Sequence, residues 1–263
     1  MQIKNKDGFK PGYNAIVEHD GLGSEMLMDY GVLKLGPDMK YNDNSALEKV
    51  YVLLYGHICV VCDGKKYEVK RESFLNENFW SIDVPSHVGI CILGISKDSE
   101  IAVVRTENSR KFEPKVHDRD NSIIEIRGEG TMNETGTRTV RTMQDYKLAP
   151  ESNIMIGEDV HYPGKWAGFP SHSHKQPEIY FYKMYPENGF GLLKLGEEGI
   201  LLEHNDTVTI APHLVHPQVA APGYAMYFLW VIRHLNGDPY LGPDFEEQHL
   251  WVEDPGAKYW PEG

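Results

Sequence analysis

The chain is broken into many short runs rich in Val, Ile, Leu, Tyr and Phe, each bounded by Gly, Pro, Asn or Asp. This punctuation restricts the fold more than any other feature. Residues 50–55, 57–61, 101–105, 179–185, 207–210 and 224–232 are such runs. They lack a sustained helical period, and β-branched and aromatic residues in runs of this length suit strands. Asp63-Gly64, between Cys62 and Lys65, supplies the backbone angles of a tight hairpin. The 25 Gly and 16 Pro residues fit frequent turns, so an all-β fold is expected.

At 263 residues the chain is long enough for one large or two ordinary domains with real cores. Its 26 basic and 39 acidic residues give a formal charge of −13, which argues against nucleic acid or an anionic membrane as the main partner. An anionic small molecule stays open, because a few local Arg or Lys side chains overrule a global field. No apolar segment follows the N-terminal lysines, and no apolar run approaches the ~20 residues of a spanning helix. A cytoplasmic location is expected. Cys59, Cys62 and Cys91 are an odd number and form no disulfide framework. Cys59 and Cys62 sit three apart in a strand-like run, facing opposite sides, and read as buried structural cysteines.

The two halves resemble each other. Ile82-Asp83-Val84-Pro85-Ser86-His87-Val88-Gly89 resembles Thr209-Ile210-Ala211-Pro212-His213-Leu214-Val215-His216. Aligning Pro85 with Pro212 sets Ser45, Leu47, Tyr51 and Gly89 opposite His172, His174, Glu178 and His216. Two tandem β-barrels are therefore expected, over residues 1–125 and 126–263, with metal ligands in the second alone. The polar stretch 112–136 reads as their connection. The proline-rich tail from Gly237 onward reads as irregular structure over a barrel or a neighbouring subunit.

The chemistry concentrates in His172-Ser173-His174-Lys175-Gln176-Pro177-Glu178. Imidazoles one residue apart point the same way from an extended strand. Glu178 heads the next apolar run, and the turn from Asp206 to Pro212 brings up His216. Three imidazole nitrogens and one carboxylate suit Zn, Mn, Fe, Co or Ni. His213 stands three residues before His216 and cannot share its strand face, which leaves it a weaker candidate. His204 reads as a turn residue. Tyr180 and Tyr182 share the face of Glu178, and Gln218 shares that of His216.

HxHx3E with a downstream Pro-x-x-x-His is the pattern of the cupin superfamily. Arg127-Gly128-Glu129-Gly130, Thr137-Arg138-Thr139-Val140-Arg141, Pro163-Gly164-Lys165-Trp166 and His216-Pro217-Gln218-Val219-Ala220-Ala221-Pro222-Gly223-Tyr224 narrow the likeness. Together they resemble the sugar-acid isomerase family that includes 5-deoxy-glucuronate isomerase of inositol breakdown and 4-deoxy-5-ketouronate isomerase of pectin breakdown. The His216 stretch is closer to the first. The compact Lys175-Gln176-Pro177 spacing before Glu178 is closer to the second.

The resemblance implies a bicupin of two jelly-roll (double-stranded β-helix) barrels. It implies a divalent metal, Zn or Mn favoured, on His172, His174, Glu178 and His216, and a metal-dependent aldose–ketose isomerase of a deoxy-uronate. Such a reaction needs a proton shuttle near working pH, for which Glu178, Tyr182, His213 and a metal-bound water are candidates. Tyr180, Gln218, Arg138, Arg141 and Arg233 are candidate binders of the sugar acid. A homo-oligomer is expected. The same ligand set also serves iron or nickel dioxygenases, which O2 consumption distinguishes. A non-catalytic sugar-binding cupin is the remaining alternative, against which the intact ligand set argues.

Overall fold

The computed structural model describes residues 1–261 as an all-β chain whose helical turns are short 3-10 segments. Its strands build two large sheets of the same internal order. In the first, Ser81–Val84, Glu48–Cys62, Ser99–Thr106, Asp29–Leu35 and Gly12–Val17 lie side by side. In the second, Thr207–Ile210, Glu178–Tyr185, Ala225–Arg233, Ile154–His161 and Arg138–Gln144 follow the same succession. Each has a companion group. Lys40–Asp43, Ile90–Gly94, the end of Glu48–Cys62 and Lys65–Arg71 pair in the first half. Trp166–Ala167, Gln218–Ala220, Gly191–Leu195 and Glu198–Leu202 pair in the second.

Runs 50–55 and 57–61 form one strand of 15 residues, Glu48–Cys62, which passes from large sheet to companion at Gly56. Gly56 has φ +114°, and a Cβ there would stand 2.5 Å from the Ser99 Cα, so only glycine fits. The hairpin that follows has Asp63 and Gly64 both at positive φ, 47° and 71°, as a tight turn of this kind needs.

Side chains alternate between two cores. Ile179 and Phe181 join Tyr227, Leu229 and Val231, together with Val50, Val52, Leu54 and Val104 of the first sheet, in one shared cluster. Tyr180, Tyr182 and Met184 turn the other way and pack with Phe228 and Trp230. Tyr51, Leu53, Ile101 and Val103 likewise fill a cluster of the first half's own. The two large sheets therefore pack against each other, and each has a separate core behind it. Burying one such apolar side chain contributes about 1.5–3 kcal/mol. The shared layer also holds Arg71 of the first half against Glu158 of the second (Nη2–Oε1 2.7 Å), with Arg141 and Tyr227 on the same carboxylate at 2.7 and 2.9 Å.

Five expectations change. The connection carries edge strands: Lys115–His117 pairs with Ser81–Asp83, and Ile123–Arg127 with Arg138–Thr142. The boundary expected at 125/126 thus falls inside a strand of the second sheet. Gln2–Ile3, at the chain start, pairs with Thr207–Val208 of the second sheet rather than with the first. The tail contributes a strand, Asp244–Phe245, paired with His172–Ser173.

Finally, Lys49 and not Tyr51 stands opposite Glu178. Lys49 pairs with Val84 and Arg105 as Glu178 pairs with Ile210 and Ile232, because the stretch from Lys49 to its Val84 partner is longer than the matching stretch from Glu178 to Ile210. The Lys49 ammonium donates to the carbonyls of Ser45 and Leu47 at 3.0 and 3.1 Å. Cys59, Cys62 and Cys91 are free thiols. No helix among the described residues is long and apolar enough to cross a membrane.

Candidate metal centre

Ligand atoms of His174, Glu178 and His216 lie within 4.8 Å of one another, all three residues buried. Glu178 Oε2 stands 3.1 Å from His174 Nε2 and 3.4 Å from His216 Nε2. The fourth expected ligand, His172, lies outside that cluster but beside His216, with ring centroids 5.1 Å apart. Glu178 opens its strand on the inward parity. His172 and His174 arrive on the segment pinned by Asp244–Phe245.

Each imidazole is oriented by main chain. Nδ1 of His172, His174 and His216 lies 3.0, 2.8 and 2.8 Å from the carbonyls of Pro170, Gln176 and Leu214. A carbonyl only accepts, so each Nδ1 carries a proton and donates it, which turns Nε2 inward; Nε2 of His172 and His216 keeps its lone pair, while Nε2 of His174 shares a proton with Glu178 Oε2. Burial, with the neighbouring His216, pushes His172 down to about 4, and burial also lowers His216. Burial opposes charge on His174 too, but the hydrogen bond and charge of Glu178 raise its pKa. Two neutral imidazoles, a third whose Nε2 proton a cation would replace, and one carboxylate fit a divalent transition metal.

The cluster opens on a cavity of about 250 Å³ walled by Tyr180, Phe228, Trp230, Tyr240, Arg127 and Arg138. Of the sequence candidates, Tyr180 lines it, its ring 5.7 Å from that of His216. Arg138 lines it too, its Nε donating to Asp159 Oδ2 at 2.9 Å. Tyr182 is fully buried behind the wall, and no protein group reaches its hydroxyl among the described residues. Gln218 is likewise buried off the wall, paired in register with Ala167 and Leu193.

The structure does not bring the others to the cavity. His213 is exposed in a left-handed turn, and what it offers the site is its backbone N–H, donated to the His174 carbonyl at 2.7 Å. Arg141 faces the opposite side of its strand, on Glu158 and the Phe74 and Leu75 carbonyls. Arg233 borders a different cavity and donates to Thr106 Oγ1 at 2.6 Å. His204 holds the turn against Met184, its Nδ1 accepting the Met184 N–H at 3.1 Å.

Sequence reasoning missed Arg127, Asp159, Tyr240 and Phe245. Asp159 holds Arg138 on one oxygen and accepts from Trp230 Nε1 on the other at 3.1 Å. The Tyr240 ring packs 4.9 Å from His174, and Phe245 5.6 Å from His172. The period-two alternation would have found Asp159. The tail residues carry no periodic signal.

Fold and site together define an all-β protein of cupin type with a buried histidine–carboxylate cluster. The chain belongs to the KduI/IolB family, whose model matches residues 2–252. It is 23% identical over 203 residues to 5-deoxy-glucuronate isomerase of Geobacillus kaustophilus (strain HTA426), covering 70% of this chain and 71% of that protein. It is 20% identical over 246 residues to 5-deoxy-glucuronate isomerase of Lacticaseibacillus casei, covering 85% and 86%. An IolB-like protein from Salmonella typhimurium LT2 superposes with a TM-score of 0.83 at 19% identity, over 93% of this chain and 96% of that one. Oxalate decarboxylase of Bacillus subtilis, a protein with Mn(II) centres, superposes at 0.65 with 12% identity, over 96% and 81%. These two superpositions show a shared fold.

Proposed function

We propose that this chain is a metal-dependent aldose–ketose isomerase of a deoxy-uronate, 5-deoxy-glucuronate foremost, with its site in the second of two tandem cupin barrels. The observation that carries this reading is a set of three imidazoles whose Nδ1 atoms are tied to carbonyls, two of which, His174 and His216, bring Nε2 to Glu178 while the third, His172, stands beside His216. Family membership and the names of the two isomerases support the substrate class. The compact spacing before Glu178 keeps 4-deoxy-5-ketouronate as the alternative.

His172, His174, Glu178 and His216 would hold the ion, with Zn or Mn favoured. A divalent cation there supplies Lewis-acid polarisation of the substrate carbonyl and of the charge that develops on its oxygen. The chain does the rest. The backbone carbonyls fix the imidazole tautomers before substrate arrives. Tyr180, Phe228 and Trp230 exclude water, so charges inside act in a medium of low dielectric. A proton must leave one carbon and return to its neighbour. Of the sequence candidates for that task only Glu178 reaches the cavity, and the Tyr180 and Tyr240 side chains join it on the wall.

Parallel assays of metal-loaded protein with 5-deoxy-glucuronate and 4-deoxy-5-ketouronate test the reading. Conversion of the first, without O2 consumption, supports it. Conversion of the second alone transfers the assignment to the alternative, and conversion of neither ends both.

A further inference from the structure

A second chamber of about 400 Å³ adjoins the metal cavity and shares Arg127, Arg138, His172, Tyr240 and Pro243 with it. Two guanidinium groups therefore stand where the chambers meet, in a chain whose overall charge is −13. Arg138 is buried and spends Nε on Asp159 and one Nη1 proton on the Gly136 carbonyl, at 2.9 Å each. Its Nη2 has no protein partner among the described residues. Among the described residues Arg127 is held only by Glu125, in a pair whose side chains are 53% and 42% exposed. Such a pair is weak and easily exchanged.

The acidic groups on the two walls are few. Asp159 is engaged by Arg138 and Trp230, Glu178 belongs to the histidine cluster, and Glu253 lines the outer chamber. Two guanidinium groups with donors to spare and little opposing charge suit an anion, and their planar forks match a carboxylate. A uronate carries its aldehyde at one end and its carboxylate at the other. With the reacting end against the histidine cluster, the acid end must meet another wall of the cavity, and that wall carries these two arginines.

We propose that Arg127 and Arg138 form a carboxylate clamp at the junction of the two chambers. The clamp selects sugar acids over neutral sugars and sets the reacting end against His174, Glu178 and His216. It rests on the isomerase reading and adds to it the direction in which substrate lies. Arg127 is the specificity-determining member, because its pair with Glu125 is the one an incoming carboxylate displaces. Arg138, locked by Asp159, provides the fixed half.

Calorimetry with non-reacting analogues tests the clamp apart from turnover. The probes are 5-deoxy-glucuronate reduced at C1 to the alcohol and its neutral counterpart lacking the carboxylate. Wild-type protein is expected to bind the acid at least about tenfold more tightly than the neutral form. Arg127→Gln is expected to weaken the acid by about tenfold to 100-fold while leaving the neutral form unchanged. Arg127→Lys is expected to recover part of the loss, and in turnover the change is expected in KM rather than kcat. Equal binding of acid and neutral form by the wild type, no binding of the acid, or an Arg127→Gln variant that binds the acid as wild type does would each overturn the clamp. Turnover that persists beside such a result leaves the isomerase reading standing. Acid selectivity without turnover leaves the clamp standing and removes the isomerase.

Discussion

Lys49 and Glu178 occupy the same register position in the two halves of the molecule, one pairing with Val84 and Arg105, the other with Ile210 and Ile232. Where the second half turns a carboxylate toward His174 and His216, the first half turns an ammonium onto the carbonyls of Ser45 and Leu47. A fixed cation at that point repels a metal ion, and the first half offers no imidazole pair to hold one. Elemental analysis of protein loaded and then desalted should give one divalent ion per chain. Two per chain would contradict the assignment of the site to the second half.

Removing the charge of Glu178 without its shape should release the metal and leave the fold. Glu178→Gln is expected to bind the ion about 100-fold or more weakly, since losing even an outer partner of a ligand costs 10–100-fold. Competition with a chelator measures this, and an unchanged far-UV circular dichroism spectrum shows that the barrel survives.

Stability should depend on Glu158, which is fully buried against Arg71, Arg141 and Tyr227 across the shared layer. Glu158→Ala leaves two buried guanidinium groups without their counter-charge, a loss of about 3–5 kcal/mol. Denaturant unfolding should show that loss in one transition, because the residue joins the two sheets. Metal affinity, set on the opposite face of the strand, should stay as in the wild type.

Acid should weaken the fold through His117. Its ring is buried, neither nitrogen has a partner among the described residues, and burial, with Lys115 nearby, pushes its pKa down to about 4 from an ordinary 6.5. Above pH 6.5 the ring is neutral in both states. Between 6.5 and 4 the unfolded chain takes up a proton that the folded chain refuses, so stability falls as pH falls, by up to about 3 kcal/mol. His117→Leu should change stability at pH 7.5 by less than about 1.5 kcal/mol and flatten the decline toward pH 4.5 in paired melts.

Much of the fold was legible because strands announce themselves locally. The period of two separates Ile179 and Phe181 from Tyr180 and Tyr182, and the structure sends the two sets to different cores. The histidine and glutamate positions were legible as spacing along the chain, His172 and His174 two apart, Glu178 at the head of the following strand and His216 just before the next. Three of them converge, with His172 alongside. The same period, applied to Arg138 and Arg141, would have told the cavity arginine from the one that faces Glu158. The register of Lys49 was hidden by unequal loop lengths, which no local pattern records. Arg127 and Tyr240 were hidden because a polar connection and a proline-rich tail have no period to read, and only tertiary packing brings them to the cavity. Gly56 reads as a break between two strands until the Ser99 contact shows it to be the bend within one.

The most direct test of the account is the conversion of 5-deoxy-glucuronate to its ketose, followed by NMR, with stripped protein, reloaded protein and reloaded Glu178→Gln side by side. The account predicts turnover by the reloaded wild type alone, near baseline in the other two samples. Turnover that survives complete metal removal, or a fully loaded and folded wild type that leaves both this sugar acid and 4-deoxy-5-ketouronate untouched, would contradict it.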